Sequence, residues 1–334
     1  MRRMMLLMGA VVVVVGAVMA AGCGGGGTSG GKTEEAAPSL PAGEIVFTRS
    51  LKAGGRPSLY VMKPDGSQVR LLMRNAADAA VSADGSRIAF ERGGGIWLMR
   101  RDGTAPRQVT TPPKRVGDGD PAWSADSRTV FFSRRDSIFS VSADGSHLRR
   151  LTTPFQSEAM RDRGETFSDG EAAPSPDGRI VAYVGYFYDM ESGIEAMRPS
   201  GDYGEPGVLL GVYEDGTPDR FFQWEYSPAW SPDGISLAFA GQAGHRWDEA
   251  QSLAIFVTSR TEPPHTVARP RGGSESLGEP AWSPDGTWIA FTRVTGAKSD
   301  VSELRLVHPD GTGLRRLTDG TPPDSSPAWL PPVR

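Results

Sequence analysis

A phrase close to Pro-Ala-Trp-Ser-Pro-Asp-Gly, followed each time by an apolar triplet, recurs along this chain and restricts its fold more than any other feature. The clearest copies are residues 280–286, leading to Ile289-Ala290-Phe291, and 228–234, leading to Leu237-Ala238-Phe239. Weaker copies are 121–127 with Val130-Phe131-Phe132, 79–85 with Ile88-Ala89-Phe90, and 172–178 with Val181-Ala182-Tyr183. A sixth copy is split. Ile45-Val46-Phe47 lacks its leading phrase, and Ser326-Pro327-Ala328-Trp329 near the C-terminus lacks its triplet.

The aspartates of the five whole copies stand at 84, 126, 177, 233 and 285, so the steps are 42, 51, 56 and 52 residues. A constant phrase with uneven steps means that loops vary in length while one structural unit is kept. Within a unit, Ser-Pro-Asp-Gly places Pro where a tight turn fixes φ and Gly where φ turns positive, joining two antiparallel strands. The triplet is the second strand. A third ends in another Asp-Gly turn, as at Asp65-Gly66, Asp102-Gly103 and Asp310-Gly311, and a fourth closes on Leu-Thr, as at Leu151-Thr152 and Leu317-Thr318. Four short strands repeated at this period are the signature of propeller blades.

On these motifs, residues 43–334 resemble the TolB-type β-propeller repeat, a WD-like family of bacterial extracytoplasmic proteins. The resemblance implies an all-β, six-bladed propeller of four-stranded blades. It also implies closure by the C-terminal strand, with residues 326–330 pairing into the first blade beside Ile45, so that removing residues 325–334 should unfold far more than those residues. Two departures stand out: Ser127 replaces the turn Gly and Pro174 replaces the Trp. TolB proteins carry a small α/β domain ahead of the propeller, for which the residues between Cys23 and Gly43 are too few, so what carries over is the propeller.

The N-terminus speaks to location. Arg2-Arg3, an apolar stretch through Val11–Val15 and then Ala20-Ala21-Gly22-Cys23 resemble a bacterial lipoprotein signal spanning 1–22, with Cys23 as the lipid attachment site. The alternative is an uncleaved anchor helix over residues 4–21, just long enough to span a bilayer. Either reading puts the propeller outside the cytoplasmic membrane, held by the lipid anchor or that helix. Residues 23–42 have the Gly, Ser, Thr and Pro content of a flexible linker. Cys23 is the only cysteine, so no disulfide, zinc-thiolate site or thiol catalysis is expected.

Without residues 1–22 the chain carries 34 basic and 40 acidic residues, and it has no basic cluster, which disfavours nucleic acid as a partner. Propeller topology places the short Asp-Gly turns on one face and the long connections on the other. Those connections are rich in rings, and Tyr186, Tyr188, Tyr213, Phe222, Trp224, His245 and Trp247 form a candidate loop-face binding surface. The residue aligned before Pro-Ala-Trp, or before Ala79-Ala80-Val81 and Ala172-Ala173-Pro174 in its place, is Asp78, Asp120, Glu171, Ser227, Glu279 or Ser326. At the start of the innermost strand, these residues should ring one mouth of the central channel. Converging carboxylates at Asp78, Asp120, Glu171 and Glu279 suit a divalent cation such as calcium, or a basic group of a partner. The plainer alternative is that they accept backbone N–H bonds from the next blade. No catalytic constellation assembles among the four histidines. The expected function is a non-catalytic binding or assembly module for an envelope protein or glycan; the alternative is a carbohydrate-active lyase or hydrolase using a channel-mouth cation with Asp215, Asp219 and Glu225.

Overall fold

The computed structural model describes residues 39–51, 55–153, 168–186, 192–201, 222–243, 252–259, 262–296 and 301–333. Leu40–Arg334 forms one compact unit. It is an all-β, six-bladed propeller in which every strand pairs antiparallel to its neighbours. Blade one runs outward from Asp324–Leu330 through Glu44–Arg49 and Ser58–Met62 to Arg70–Arg74, so the split repeat closes the ring as expected. Blades two, three, five and six also show four strands, and blade four shows three among the described residues: Ser168–Pro174, Val181–Tyr186 and Ser192–Met197.

The apolar triplets are continuous because both sides of each blade are buried. Ile45 and Phe47 pack with Trp288 and Leu304 of blade six, whereas Val46 between them packs with Ile88, Phe90 and Met99 of blade two. Successive side chains of a strand point to opposite faces, so one triplet serves two seams. Six apolar clusters fill the six seams between neighbouring blades.

The repeated phrase is explained atom by atom. In each Ser-x-Asp turn the serine hydroxyl donates to the aspartate two residues on, as in Ser283 to Asp285 at 2.6 Å, and accepts the N–H of Trp288 at 2.9 Å. The aspartate accepts the N–H of Thr287 at 3.1 Å. The same set recurs at Ser82, Ser124, Ser175 and Ser231. Ser127 takes the glycine's left-handed conformation at φ 58° and uses its hydroxyl to accept the Asp84 N–H of blade two. The tryptophan is an inter-blade latch: the Trp123, Trp230, Trp282 and Trp329 indoles donate to the carbonyls of Ala80, Ala173, Ala229 and Ala281 in the preceding blade. Val81 and Pro174 occupy the latch position in blades two and four and cannot donate this bond.

A second latch comes from the Leu-Thr ending. Thr110 accepts the Ile96 N–H of its own blade and donates to Asp118 of blade three at 2.5 Å. Thr152 and Thr318 likewise accept the Ile138 and Leu304 N–H groups of their own blades at 3.0 Å, and their hydroxyls favour the ionised forms of Asp169 and Asp324 in the blades that follow. Asp118 and Asp324 are each gripped by an arginine of their own blade: Arg134 at 2.6 and 2.9 Å, and Arg49 at 2.6 and 2.8 Å.

One expectation needs correction. Phe222 and Trp224 lie not in a long connection but in Phe222–Trp230, which like Glu275–Trp282 is an innermost strand that continues past the ring position. The reason is a bulge. At each ring position the pairing to the second strand slips, as between Gly278 and Ala281, and the strand resumes beyond it.

Candidate functional site: a carboxylate ring at the channel mouth

Asp78, Asp120, Glu171, Ser227, Glu279 and Ser326 converge on one cavity of about 260 Å³, lined otherwise by the Ala or Pro that follows each of them. All six adopt positive φ, from 47° to 53°. That is an uncommon conformation for residues with a side chain. It is the bulge that produces it, turning each of these side chains toward the axis instead of into a seam. They sit within the innermost strands, not at their starts.

Five of the six ring residues are held from the blade before them. The N–H groups of Asp78, Asp120 and Glu171 donate to Thr48, Glu91 and Ser133, which occupy equivalent places on the second strands of blades one, two and three. The N–H of Ser326 donates to Thr292 at 3.2 Å and to Glu279 at 2.7 Å, and the N–H of Ser227 donates to Glu171 at 2.5 Å. Glu171 and Glu279 therefore do accept backbone bonds from the next blade. The Ser326 hydroxyl lies 2.7 Å from Asp78 and 3.1 Å from Glu279, connecting three blades across the closure point.

Two acids at the mouth resist ionisation. Burial, then the charge of Glu171 and Asp78, pushes the Asp120 carboxyl up to about 6 against a bond from Ser133. Burial and the neighbouring Asp78 push Glu91 to about 7. Glu91 is a fifth acid at the mouth that the repeat phrase does not reveal. Its signal is nonetheless in the sequence: the residue after each apolar triplet is Thr48, Glu91, Ser133 or Thr292 in four blades, polar where a seam would demand an apolar group.

Among the described residues, no three His, Cys, Asp or Glu side chains gather closely enough to hold a metal ion. The carboxylates encircle a mouth without focusing on one point. Of the loop-face candidates, Tyr186 turns inward: its hydroxyl donates to Glu171 at 2.7 Å and its ring lies 6.0 Å from Tyr226. Phe222 and Trp224 belong to an innermost strand. Tyr188, Tyr213, His245, Trp247 and Cys23, with Asp215 and Asp219, lie outside the described residues. Glu225 is not at the mouth; it is buried at the seam of blades four and five, where it accepts the Ile194 N–H at 2.8 Å and burial pushes it to about 7.

Fold and mouth together define a six-bladed propeller with an acid-lined channel entrance. No protein-family model matches the chain. It is similar to the Tol-Pal system protein TolB of Anaeromyxobacter dehalogenans, 30% identical over 167 residues that cover 48% of this chain and 36% of that protein. The match thus spans about a third of those curated relatives' length. Among solved structures, TolB from Acinetobacter baumannii superposes with a TM-score of 0.68 at 17% identity, covering 88% of this chain and 68% of that one. A puromycin-hydrolyzing peptidase from Mycobacterium tuberculosis matches at 0.50 and 15% identity, covering 84% of this chain and 46% of that one. At such identities the likeness establishes the TolB-like fold alone.

Proposed function

We propose that this chain is a lipid-anchored, extracytoplasmic propeller that acts as a non-catalytic binding or assembly module, its acidic mouth receiving a basic group of an envelope protein. The observation that carries the reading is the convergence of four carboxylates and two hydroxyls on one open cavity. A basic side chain suits this ring better than a metal ion, because the acids are dispersed round the rim and several already accept N–H bonds. Similarity to proteins named for the Tol-Pal system supports an envelope protein, in preference to a glycan, as the partner class. The Cys23 signal supports the anchor and the extracytoplasmic location.

The test is capture of partners from solubilised envelope by the full chain and by a variant with Asp78→Asn, Asp120→Asn, Glu171→Gln and Glu279→Gln, alongside thermal midpoints with EDTA, calcium and magnesium. A protein retained by the wild type and released by the variant or by raised salt supports the reading. Equal capture by both chains excludes the mouth as the site. A midpoint rise with calcium that the variant loses would replace the basic group with a cation; a ligand at a hundred times its dissociation constant contributes about 2.7 kcal/mol.

A further inference from the structure

The residue two before each ring position stands at a seam between blades. It is apolar in blades two and six, as Ala76 and Leu277, and acidic in the other four, as Asp118, Asp169, Glu225 and Asp324. Three of these acids have a cation or a hydroxyl to meet them. Asp118 and Asp324 have Arg134 and Arg49 together with the hydroxyls of Thr110 and Thr318. Asp169, only partly buried, has the Thr152 hydroxyl and the charge of Arg150 in its favour. Glu225, at 9% exposure, has neither. Gly241 pairs with it where Arg134 and Arg49 pair with Asp118 and Asp324.

The extra methylene of the glutamate changes how this seam is held. At the seams that follow blades two, three and six, a threonine hydroxyl accepts the N–H of Ile96, Ile138 or Leu304 and stands between that third strand and the acid of the next blade. Between blades four and five the carboxylate itself reaches the equivalent N–H, that of Ile194, at 2.8 Å. Among the described residues this is the one hydrogen bond to the carboxylate. The Ser192 hydroxyl accepts the Glu225 N–H and donates to the Glu225 carbonyl, both at 2.9 Å. The strands packed against Glu225's own are Ser168–Pro174, Val181–Tyr186, Ser192–Met197, Ser236–Ala243 and Glu275–Trp282. Their titratable residues are Asp169, Glu171, Tyr183, Tyr186, Glu195, Glu275 and Glu279, and none is basic. Tyr186 and Tyr183 donate to Glu171 and Glu195, and Glu275 is paired with Arg293.

We propose that a proton operates the seam between blades four and five: it is tight while Glu225 is protonated and loosens as that carboxyl ionises. A protonated carboxyl still accepts the Ile194 N–H through its carbonyl oxygen, whereas the ionised group is a buried charge met by a single N–H. Burial pushes the Glu225 carboxyl up to about 7. A group raised by folding stabilises fully below its unfolded value and loses that contribution as pH rises through its folded one, so the seam weakens from pH 4.5 to about 7 and changes little beyond. Ser227, two residues further on, is the ring position whose N–H bonds Glu171 across the same seam, so one link of the mouth depends on it. The inference is independent of what the mouth receives.

The experiment is hydrogen exchange on the full chain from pH 5 to 8.5, corrected for the intrinsic pH dependence of exchange. Protection in 192–197 and 225–230 should fall by up to about tenfold per pH unit as far as about pH 7 and then level off. In Glu225→Gln, which keeps an acceptor for Ile194 and discards the charge, protection there should no longer follow pH, while 87–92 and 129–134 keep their wild-type profiles. A fall shared equally by all blades overturns the proposal. So does protection in 192–197 and 225–230 that ignores pH in the wild type, or a fall there that Glu225→Gln leaves in place. If the variant does not fold, the wild-type contrast between 192–197 and 129–134 decides alone.

Discussion

The propeller's two faces both carry acids, and where folding shifts them it shifts them in opposite directions. On the turn face, side-chain bonds from Ser67, Thr104, Ser124, Ser146 and Ser231 hold Asp65, Asp102, Asp126, Asp144 and Asp233 below the ordinary carboxylate range. At Asp84 and Asp285 burial pulls the other way and the serine bonds outweigh it. At the mouth, burial raises Asp120 to about 6 and Glu91 to about 7; away from it, burial raises Asp169 to about 6 and Glu225 to about 7. What separates the shifted acids is burial beside other acids. A turn aspartate has a hydroxyl and an N–H aimed at it, whereas Asp120 and Glu91 are buried next to Asp78, with one bond each, from Ser133 and from the Asp120 N–H. Where an arginine is present, as for Asp118 and Asp324, a buried acid becomes a clasp; the positions paired with Asp169 and Glu225 are Gly185 and Gly241.

The comparison breaks first at the clasp. Arg49→Met leaves fully buried Asp324 without its cation at the strand that closes the ring, and a loss of about 3–5 kcal/mol is expected from urea denaturation. A loss as small as that of an exposed pair would mean that the closure does not depend on it. Next in size, Asp285→Ala removes the acceptor of Ser283 and Thr287 and should cost about 1–3 kcal/mol at neutral pH. Glu91→Gln at the mouth should be neutral or stabilising at pH 7.5, since the amide keeps an acceptor for Asp120 and discards an unfavourable charge. Equal losses in both variants would erase the distinction between the faces.

The pH response sharpens the same contrast. A mouth acid with a raised folded pKa contributes stability that is full below its unfolded value and lost as pH rises through its folded one. For Asp120 that window runs from 3.8 to about 6, and for Glu91 from 4.5 to about 7. Turn aspartates, lowered by folding, contribute stability above their unfolded value of 3.8 and lose it as pH falls further. The thermal midpoint should therefore peak in weakly acidic solution, and Glu91→Gln with Asp120→Asn should flatten the decline toward neutral pH, by about 1–3 kcal/mol in all. A midpoint that rises steadily to pH 8 in the wild type would contradict the raised values. The smallest effect, about 1 kcal/mol, is expected for Trp282→Phe, which keeps the ring in its seam but forfeits the bond to Ala229.

Much of this was legible in the residues. The phrase, its period and the split sixth copy determine blades, turns and ring closure, because turn chemistry is local and a triplet buried on both sides has to be apolar throughout. The identity of the ring residues could also be read, since each stands just before the Pro-Ala or Ala-Ala of the repeated phrase. Only the tertiary structure decided how those residues are used. The positive-φ bulge that aims them at the axis, the arrival of Glu91 from a second strand and the inward turn of Tyr186 all depend on which blade stands next in the circle. The Leu-Thr ending shows the same limit. Its sequence marks the end of a strand, but its hydroxyl bonds an acid that the chain reaches only after the next connection, so the partner is fixed by packing and not by spacing.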